Sequence, residues 1–342
     1  TAVLFQSYAN DLVTGFFDTN SARDVFVRYL DTEETELVSA NTGSSAGSAS
    51  GASFEPVISG DGLTIAFTSA APNVVVGDNN GTLDVFAYSW TADSLSLVSV
   101  DSTGTTSGNG QSDSPSISAD GKFIAFDSSA SDLVGGGLDG NFNRDVFRRG
   151  PLSGPVITTD LVSLNLAGTG TGNGHSEQPS ISDDGSRIAF RSSATNLTGI
   201  ADAESFGDIF VRINVGTPGA ATQLVSINGS GTGPGNNSSD TPIISGDGGT
   251  VAFNSQASNL SSPADGPVAD LNSENDVFAR NLTASMTRLV SRKAAGVFSG
   301  SSSSADPVLS YYGRYAAFST VSPALVVEDG NGASDVFRYD FT

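Results

Sequence analysis

The sequence contains no cysteine. Disulfides, thiolate metal sites and cysteine nucleophiles are excluded together. Histidine occurs once, as His175, so neither a His-rich zinc centre nor a set of imidazole bases can be built. Cations are scarce: 15 Lys and Arg stand against 37 Asp and Glu, a formal charge of −22 over 342 residues. The few positive residues are scattered rather than clustered. This argues against nucleic acid, whose binding needs a basic surface to neutralise phosphates, and against an anionic membrane surface. No apolar run approaches the roughly 20 residues of a membrane-spanning helix, so no membrane insertion is expected. No signal-peptide pattern opens the sequence, which predicts either a mature exported chain or a cytosolic one. Helical periodicity is absent, and 40 glycines work against helices. Any chemistry must rest on carboxylates, amides, hydroxyls and backbone.

What is present is repetition. Asp-Val-Phe, once Asp-Ile-Phe, begins at Asp24, Asp84, Asp145, Asp208, Asp276 and Asp335, a period of about sixty residues. Leu-Val-Ser keeps step from Leu37, Leu97, Leu161, Leu224 and Leu289, and Pro-x-(Ile/Leu)-Ser from Pro56, Pro115, Pro179, Pro242 and Pro307. An Ala-Phe run follows at Phe67, Phe126, Phe190, Phe253 and Phe318, with Phe5 in the same slot. Each piece is short, rich in Val, Ile and Phe, and bounded by turn-forming residues, as strands are. The pairs Asp61-Gly62, Asp120-Gly121, Asp184-Gly185 and Asp247-Gly248 predict two-residue hairpin turns with both central residues at positive φ. Tyr311-Tyr312-Gly313 occupies that place in the last unit and predicts an altered turn.

One unit is thus four short antiparallel strands: A (Pro-x-Ile-Ser), B (Ile-Ala-Phe), C (Asp-Val-Phe) and D (Leu-Val-Ser). Ile65-Ala66-Phe67, Ile124-Ala125-Phe126 and Ile188-Ala189-Phe190 are apolar on both faces, so each sheet buries both faces against its neighbours. The expected fold is all-β, a six-bladed β-propeller of four-stranded antiparallel blades in a single domain. The blades fall at about 1–40, 54–100, 113–165, 177–228, 240–292 and 305–342. B and C recur six times but A and D only five, so the first and last blades are expected to be incomplete. Six full units need roughly thirty residues more, equal to one D strand, one loop and one A strand. Those residues are excised or disordered, or a neighbouring chain supplies the strand, or the ring stays open. An empty slot exposes unpaired backbone and apolar side chains, and a head-to-tail contact that fails to close gives a filament.

The units resemble TolB-like β-propeller repeats of secreted bacterial type. The resemblance is carried by Pro115 to Gly121 (Pro-Ser-Ile-Ser-Ala-Asp-Gly), Phe123 to Phe126 (Phe-Ile-Ala-Phe) and Asp-Val-Phe, and it covers essentially the whole chain. It implies a propeller and a location outside the cytoplasm. It implies little about activity, because such propellers serve as scaffolds, binding platforms and, less often, hydrolase domains.

The segment between strands B and C carries Asp-x-(Asn/Glu)-x-x-x-Asp in every unit. It reads Asp18/Asn20/Asp24, Asp78/Asn80/Asp84, Asp139/Asn141/Asp145, Asp202/Glu204/Asp208, Asp270/Asn272/Asp276 and Asp329/Asn331/Asp335. Hard oxygen donors at such spacing suit calcium, and these eighteen residues are the candidate metal ligands. The same side chains also cap turns by accepting backbone N–H bonds, which yields an equally regular pattern. The pattern is not an EF-hand loop, since it lacks that loop's Gly and Glu positions. The negative charge favours a cation, because carboxylates otherwise repel one another.

Weaker signals have plainer readings. Gly43-Ser44-Ser45-Ala46-Gly47 matches a nucleophile-elbow pattern, but lies in a Ser/Gly-rich loop with no helix and no nearby histidine. His175 reads as a solvent-facing loop residue. Arg28, Tyr88, Arg149, Arg212, Arg280 and Tyr339 share the parity of the preceding Asp and Phe, and are expected to stack or pair between blades. The D-to-A loops are almost pure Ser, Thr, Gly and Asn at nearly constant length, which predicts order. Asn-x-Ser/Thr sequons open at Asn80, Asn196, Asn228, Asn236, Asn237, Asn259 and Asn281, so the Ser/Thr/Asn-rich loops are candidate glycan carriers.

The expected function is that of a non-catalytic, calcium-stabilised structural propeller, extracellular or on a cell surface. Its partner is itself or another surface protein, and it forms a filament or surface layer by head-to-tail or strand-complementing contacts. No catalytic residue is assigned, because ionisable groups are spread from unit to unit as structural sites are. The alternatives are a TolB-like, periplasmic protein-binding platform and a calcium-dependent propeller hydrolase or lactonase with one central ion.

Overall fold

The computed structural model describes all residues except 15–17, 19, 42–46, 154–155, 205, 267–269, 294–298, 324 and 327–328. Short β-branched and aromatic runs become strands, and the Gly, Ser and Asp clusters between them become turns. The first sheet is β1 (Ala2–Ser7), β2 (Asp24–Tyr29) and β3 (Thr35–Leu37). The second is β4 (Ser53–Ile58), β5 (Thr64–Ser69), β6 (Asp84–Ser89) and β7 (Ser94–Leu97). The third is β8 (Ser112–Ile117), β9 (Ile124–Ser128), β10 (Asp145–Gly150) and β11 (Thr158–Leu161). The fourth is β12 (Ser176–Ile181), β13 (Ile188–Ser192), β14 (Asp208–Ile213) and β15 (Ala221–Leu224). The fifth is β16 (Ser239–Ile244), β17 (Thr250–Ser255), β18 (Asp276–Asn281) and β19 (Met286–Leu289), and the sixth is β20 (Ser304–Leu309), β21 (Tyr315–Thr320) and β22 (Asp335–Asp340). All pairings are antiparallel between sequence neighbours. Among the described residues the only helical element is a 3-10 turn, Pro263–Asp265, and no helix is long and apolar enough to cross a membrane.

The sheets fall into two compact units, Thr1–Val162 and Ser163–Thr342. Within each, the C strand of one sheet packs on the B strand of the next. Val25 and Val27 meet Ile65 and Phe67 in the first unit. Ile209 and Val211 meet Val251 and Phe253, and Val277 and Ala279 meet Ala316 and Phe318, in the second. Inside each sheet the B and C phenylalanines stack, as Phe67–Phe86 at 5.7 Å and Phe126–Phe147 at 5.9 Å between centroids. These rings are fully buried and supply the largest apolar areas of the core.

The inner strands are stitched to one another by a repeated irregularity. Each A strand shifts register, between Phe54 and Val57, for example, and the residue before its proline takes positive φ: Glu55 at 52°, Ser114 at 55°, Gln178 at 56°, Thr241 at 46° and Asp306 at 54°. The bulge turns that residue's N–H out of its own ladder. The amide then donates to a side chain of the preceding sheet: Glu55 N–H to Gln6 Oε1 (3.2 Å), Ser114 N–H to Glu55 Oε2 (3.1 Å) and Thr241 N–H to Gln178 Oε1 (3.1 Å).

The Asp-Gly hairpins differ from the expected form. Only the glycine has positive φ (Gly62 73°, Gly121 66°, Gly185 71°, Gly248 70°). Five residues, Ser59 to Leu63, separate the strands, and Gly62 N–H donates to Ser59 O. The aspartate stays right-handed because its carboxylate is engaged, accepting from Ser59 Oγ (2.6 Å) and Leu63 N–H (2.9 Å). Tyr311-Tyr312-Gly313 keeps the same turn, with Gly313 at 61° and its N–H on Ser310 O, so the expected alteration is confined to side chains.

The first and last sheets present surfaces that their equivalents bury. Val336 on β22 is 80% exposed, whereas the same C-strand position is 0% exposed at Val25, Val85, Val146, Ile209 and Val277. Val3 on β1 is 46% exposed, against 0% at Ile65, Ile124, Ile188 and Val251.

Candidate cation-binding loops

The recurrence of Asp-Val-Phe and Leu-Val-Ser has one physical cause. The serine ending Leu-Val-Ser accepts the N–H of the residue after the strand-C aspartate and donates to that aspartate. Ser39 bonds Val25 N–H (3.0 Å) and Asp24 Oδ1 (2.7 Å), and Ser99 bonds Val85 N–H (3.1 Å) and Asp84 Oδ1 (2.6 Å). Ser226 bonds Ile209 N–H (2.9 Å) and Asp208 Oδ1 (2.6 Å), and Ser291 bonds Val277 N–H (3.0 Å) and Asp276 Oδ1 (2.5 Å). These serines and aspartates are buried. The Ser226→Ala variant strands one backbone donor and one carboxylate oxygen inside the sheet, and is expected to cost about 1–3 kcal/mol in urea unfolding. A loss too small to resolve in that titration contradicts the latch.

The latch uses one oxygen of each of these four aspartates and leaves the other facing the acidic loop. There the asparagines act as struts and caps. Asn80 Oδ1 accepts Thr82 N–H (2.8 Å) while Nδ2 donates to Gly108 O (2.8 Å) across to the D-to-A loop. Asn20 does the same with Ala22 N–H and Ala49 O (2.6 Å each), and Asn272 with Glu274 N–H (3.0 Å) and Gly300 O (3.1 Å). Asn141 and Asn331 cap Asn143 and Ala333. The asparagine oxygens are therefore spent on turn chemistry. Of the leading aspartates, Asp18 accepts from Asn20 N–H (3.1 Å) and Ser48 Oγ (2.9 Å), and Asp202 from Glu204 N–H (3.1 Å).

Carboxylates nevertheless converge. Asp78 and Asp84 lie within hydrogen-bonding reach of each other, as do Asp270 and Asp276, and all four are buried. Burial pushes Asp84 up to about 7, with the Asp78 charge adding and the Ser99 hydroxyl opposing. Burial, then the Asp270 charge, likewise raises Asp276 against the pull of Ser291. Asp208 is pushed to about 7 by burial and by the charges of Asp202 and Glu204, and Asp24 and Asp139 to about 6, chiefly by burial. In the last sheet Asp329 and Asp335 are only half-buried, and Asn331 Nδ2 donates to Asp335 Oδ2 (3.0 Å). Among the described residues no three carboxylate or imidazole groups gather at one point, so a cation here would take two carboxylates and complete its shell with neutral oxygens.

Other charges are paired locally. Arg144 bridges Asp113 (2.7 Å) and Asp127 (2.9 Å) in the third sheet, a cluster that the sequence pattern did not reveal because strand register brings it together. Arg191 and Glu177 occupy the corresponding cross-strand position in the fourth. The arginines four past the strand-C aspartate bond strand D of their own sheet, Arg28 to Thr35 (3.1 Å), Arg149 to Thr159 (2.8 Å), Arg212 to Thr222 (2.9 Å) and Arg280 to Thr287 (2.9 Å), while Tyr339 in the same slot stacks between sheets under the Arg292 guanidinium, 4.9 Å from the ring centroid. Antiparallel register sets each pair opposite, as at Arg28–Thr35. A polar groove of about 460 Å³ in the first unit holds Asp61, Asp120, Lys122 and Arg149, with Lys122 bound to Asp120 at 2.6 Å. His175 is exposed, with its backbone bonded to Ser193. Residues 43–46 of the elbow-like pattern lie outside the described residues. The D-to-A loops close on a repeated bridge, such as Val100–Ser107, Leu164–Thr171 and Ile227–Pro234.

No family model and no curated protein matches the sequence. Solved structures do. The tricorn protease matches 94% of this chain over 28% of its own at 10% identity, with a TM-score of 0.50. The chain is a six-bladed β-propeller. TolB from Acinetobacter baumannii matches this propeller over 87% of its length at 14% identity (TM-score 0.45), and a putative TolB from Agrobacterium tumefaciens over 92% at 17% (TM-score 0.44). The propeller spans 54% of the Acinetobacter chain, about half, and 83% of the Agrobacterium one. At these identities the likeness concerns the fold alone. The expected blade architecture is met, with three strands rather than four in the first and last blades.

Proposed function

We propose that this propeller is a non-catalytic structural module of an extracellular assembly, stiffened by calcium in its B-to-C loops and joined copy to copy in a heterologous, head-to-tail manner. The observation that carries the reading is the pair of uncovered faces. Val336 belongs to the strand position that packs forward onto the next blade, and Val3 to the position that receives such packing. The two faces are therefore complementary in kind, and burying them against each other removes apolar area from water at about 25 cal/mol per Å². When two different faces of one chain meet between copies, the contact repeats without limit unless it closes into a ring.

The charge distribution supports a role without catalysis, since Arg144, Arg148, Arg191 and Lys122 are neutralised by neighbouring carboxylates. Loops offering two carboxylates suit the weak calcium affinities of extracellular modules, about 10⁻⁴–10⁻³ M. Light scattering in millimolar calcium tests the assembly. The unaltered chain is expected to form multimers that grow with concentration, and Val336→Asp to stay monomeric without loss of thermal stability, because that side chain faces solvent within one copy. A monomeric wild type at high concentration, or multimers indifferent to Val336→Asp, overturns the reading.

A further inference from the structure

We propose that the second and fifth blades each hold one calcium ion, on the Asp78–Asp84 pair and on the Asp270–Asp276 pair, so that one chain binds two ions rather than six. The inference rests on the calcium reading of the loops and names where it applies. Asp78 is 7% exposed and Asp270 5%, while Asp84 and Asp276 are fully buried. No donor reaches either oxygen of Asp78 within hydrogen-bonding geometry, although the Asn80 amide lies close enough to favour its charged form. Oδ2 of Asp84, of Asp270 and of Asp276 likewise lacks a donor. Buried carboxylate oxygens without donors are costly, and two such groups facing one another more so. A divalent cation meets both charges and takes up the same oxygens. The Ser299 hydroxyl beside Asp270 adds a neutral oxygen of the kind calcium accepts.

The remaining blades lack this arrangement. In the first, Asn20 Nδ2 fills Asp24 Oδ2 (3.0 Å) and Asp18 is only half-buried. In the third, Asp139 is as buried as Asp78, but the charge that bears on it is that of Asp132, and Asp145 and Asn141 have polar contacts of their own. In the fourth, Glu204 is exposed and Asp202 half-exposed, and in the sixth Asn331 fills Asp335 Oδ2. An ion in either proposed site ties the B-to-C loop to the start of strand C. The Asn80 and Asn272 struts carry that tie to the D-to-A loop.

The test is equilibrium dialysis of the full, chelator-stripped chain against calcium chloride alone, with bound metal read by atomic emission. Two ions per chain are expected at saturation, one for Asp78→Asn, one for Asp270→Asn, none for the double variant, and still two for the Asp202→Asn control. Should a variant fail to fold, the count on the unaltered chain decides: two supports the assignment and any other number overturns it. Ions that bind in numbers the variants leave unchanged overturn the two sites while keeping calcium in the loops. No bound ion overturns both.

Discussion

Stripping calcium with excess EDTA is expected to lower the melting temperature of the chain by about 5–10 °C. With a dissociation constant of about 10⁻⁴ M, the tight end for extracellular modules, calcium at about 10 mM is a hundredfold excess and stabilises the folded state by about 2.7 kcal/mol per site. One such site falls in each compact unit, and for domains of this size 1 kcal/mol moves the midpoint by about 2–4 °C. The shift is expected to return on adding calcium, and to shrink in Asp78→Asn and Asp270→Asn. A midpoint unmoved by EDTA contradicts calcium in the loops, and leaves the asparagine caps and serine latches as the whole explanation of the repeated pattern.

The second large effect is expected from the stacked phenylalanines. Phe126 is fully buried against Phe147, and Phe126→Ala is expected to cost about 3–5 kcal/mol in denaturant unfolding. Phe337 stacks on Phe318 in the same way, at 6.0 Å, but is only half-buried on a strand whose neighbouring Val336 faces water. Measured on dilute monomer, Phe337→Ala is expected to cost less than half as much. Equal losses at the two positions contradict an uncovered face on the last blade.

Much of the fold is legible in the sequence because the repeat carries its own punctuation. Asp-Val-Phe and Ile-Ala-Phe mark strands, Asp-Gly marks the hairpin, and the five-fold count of strands A and D matches the three-stranded first and last sheets. The finer turn geometry is not legible from the dipeptide alone. It depends on the five-residue separation and on Ser59 holding the Asp61 carboxylate, which keeps that residue out of the left-handed region. Parity places Arg28 and its equivalents on the correct face of the strand, but only register reveals that a strand-D threonine stands opposite.

The acidic loop divides in the same way. Spacing brings its residues to one place, yet Asp-x-Asn is written identically whether the amide oxygen binds a cation or caps a turn. At Asn80 it caps Thr82. The latch serine is visible as a motif but not as a partner, because Ser99 meets Asp84, fifteen residues away in sequence, only through the pairing of two strands. Burial, which sets Asp78, Asp139 and Asp270 apart from Asp18, Asp202 and Asp329, is a property of the packed sheets and leaves no local trace.

Native mass spectrometry of the calcium-loaded chain addresses both halves of the account at once, since it weighs bound ions and counts copies in one spectrum. Species carrying two calcium ions per chain, in a ladder of multimers that lengthens with concentration, are the predicted result. Single chains free of calcium at every concentration would contradict it.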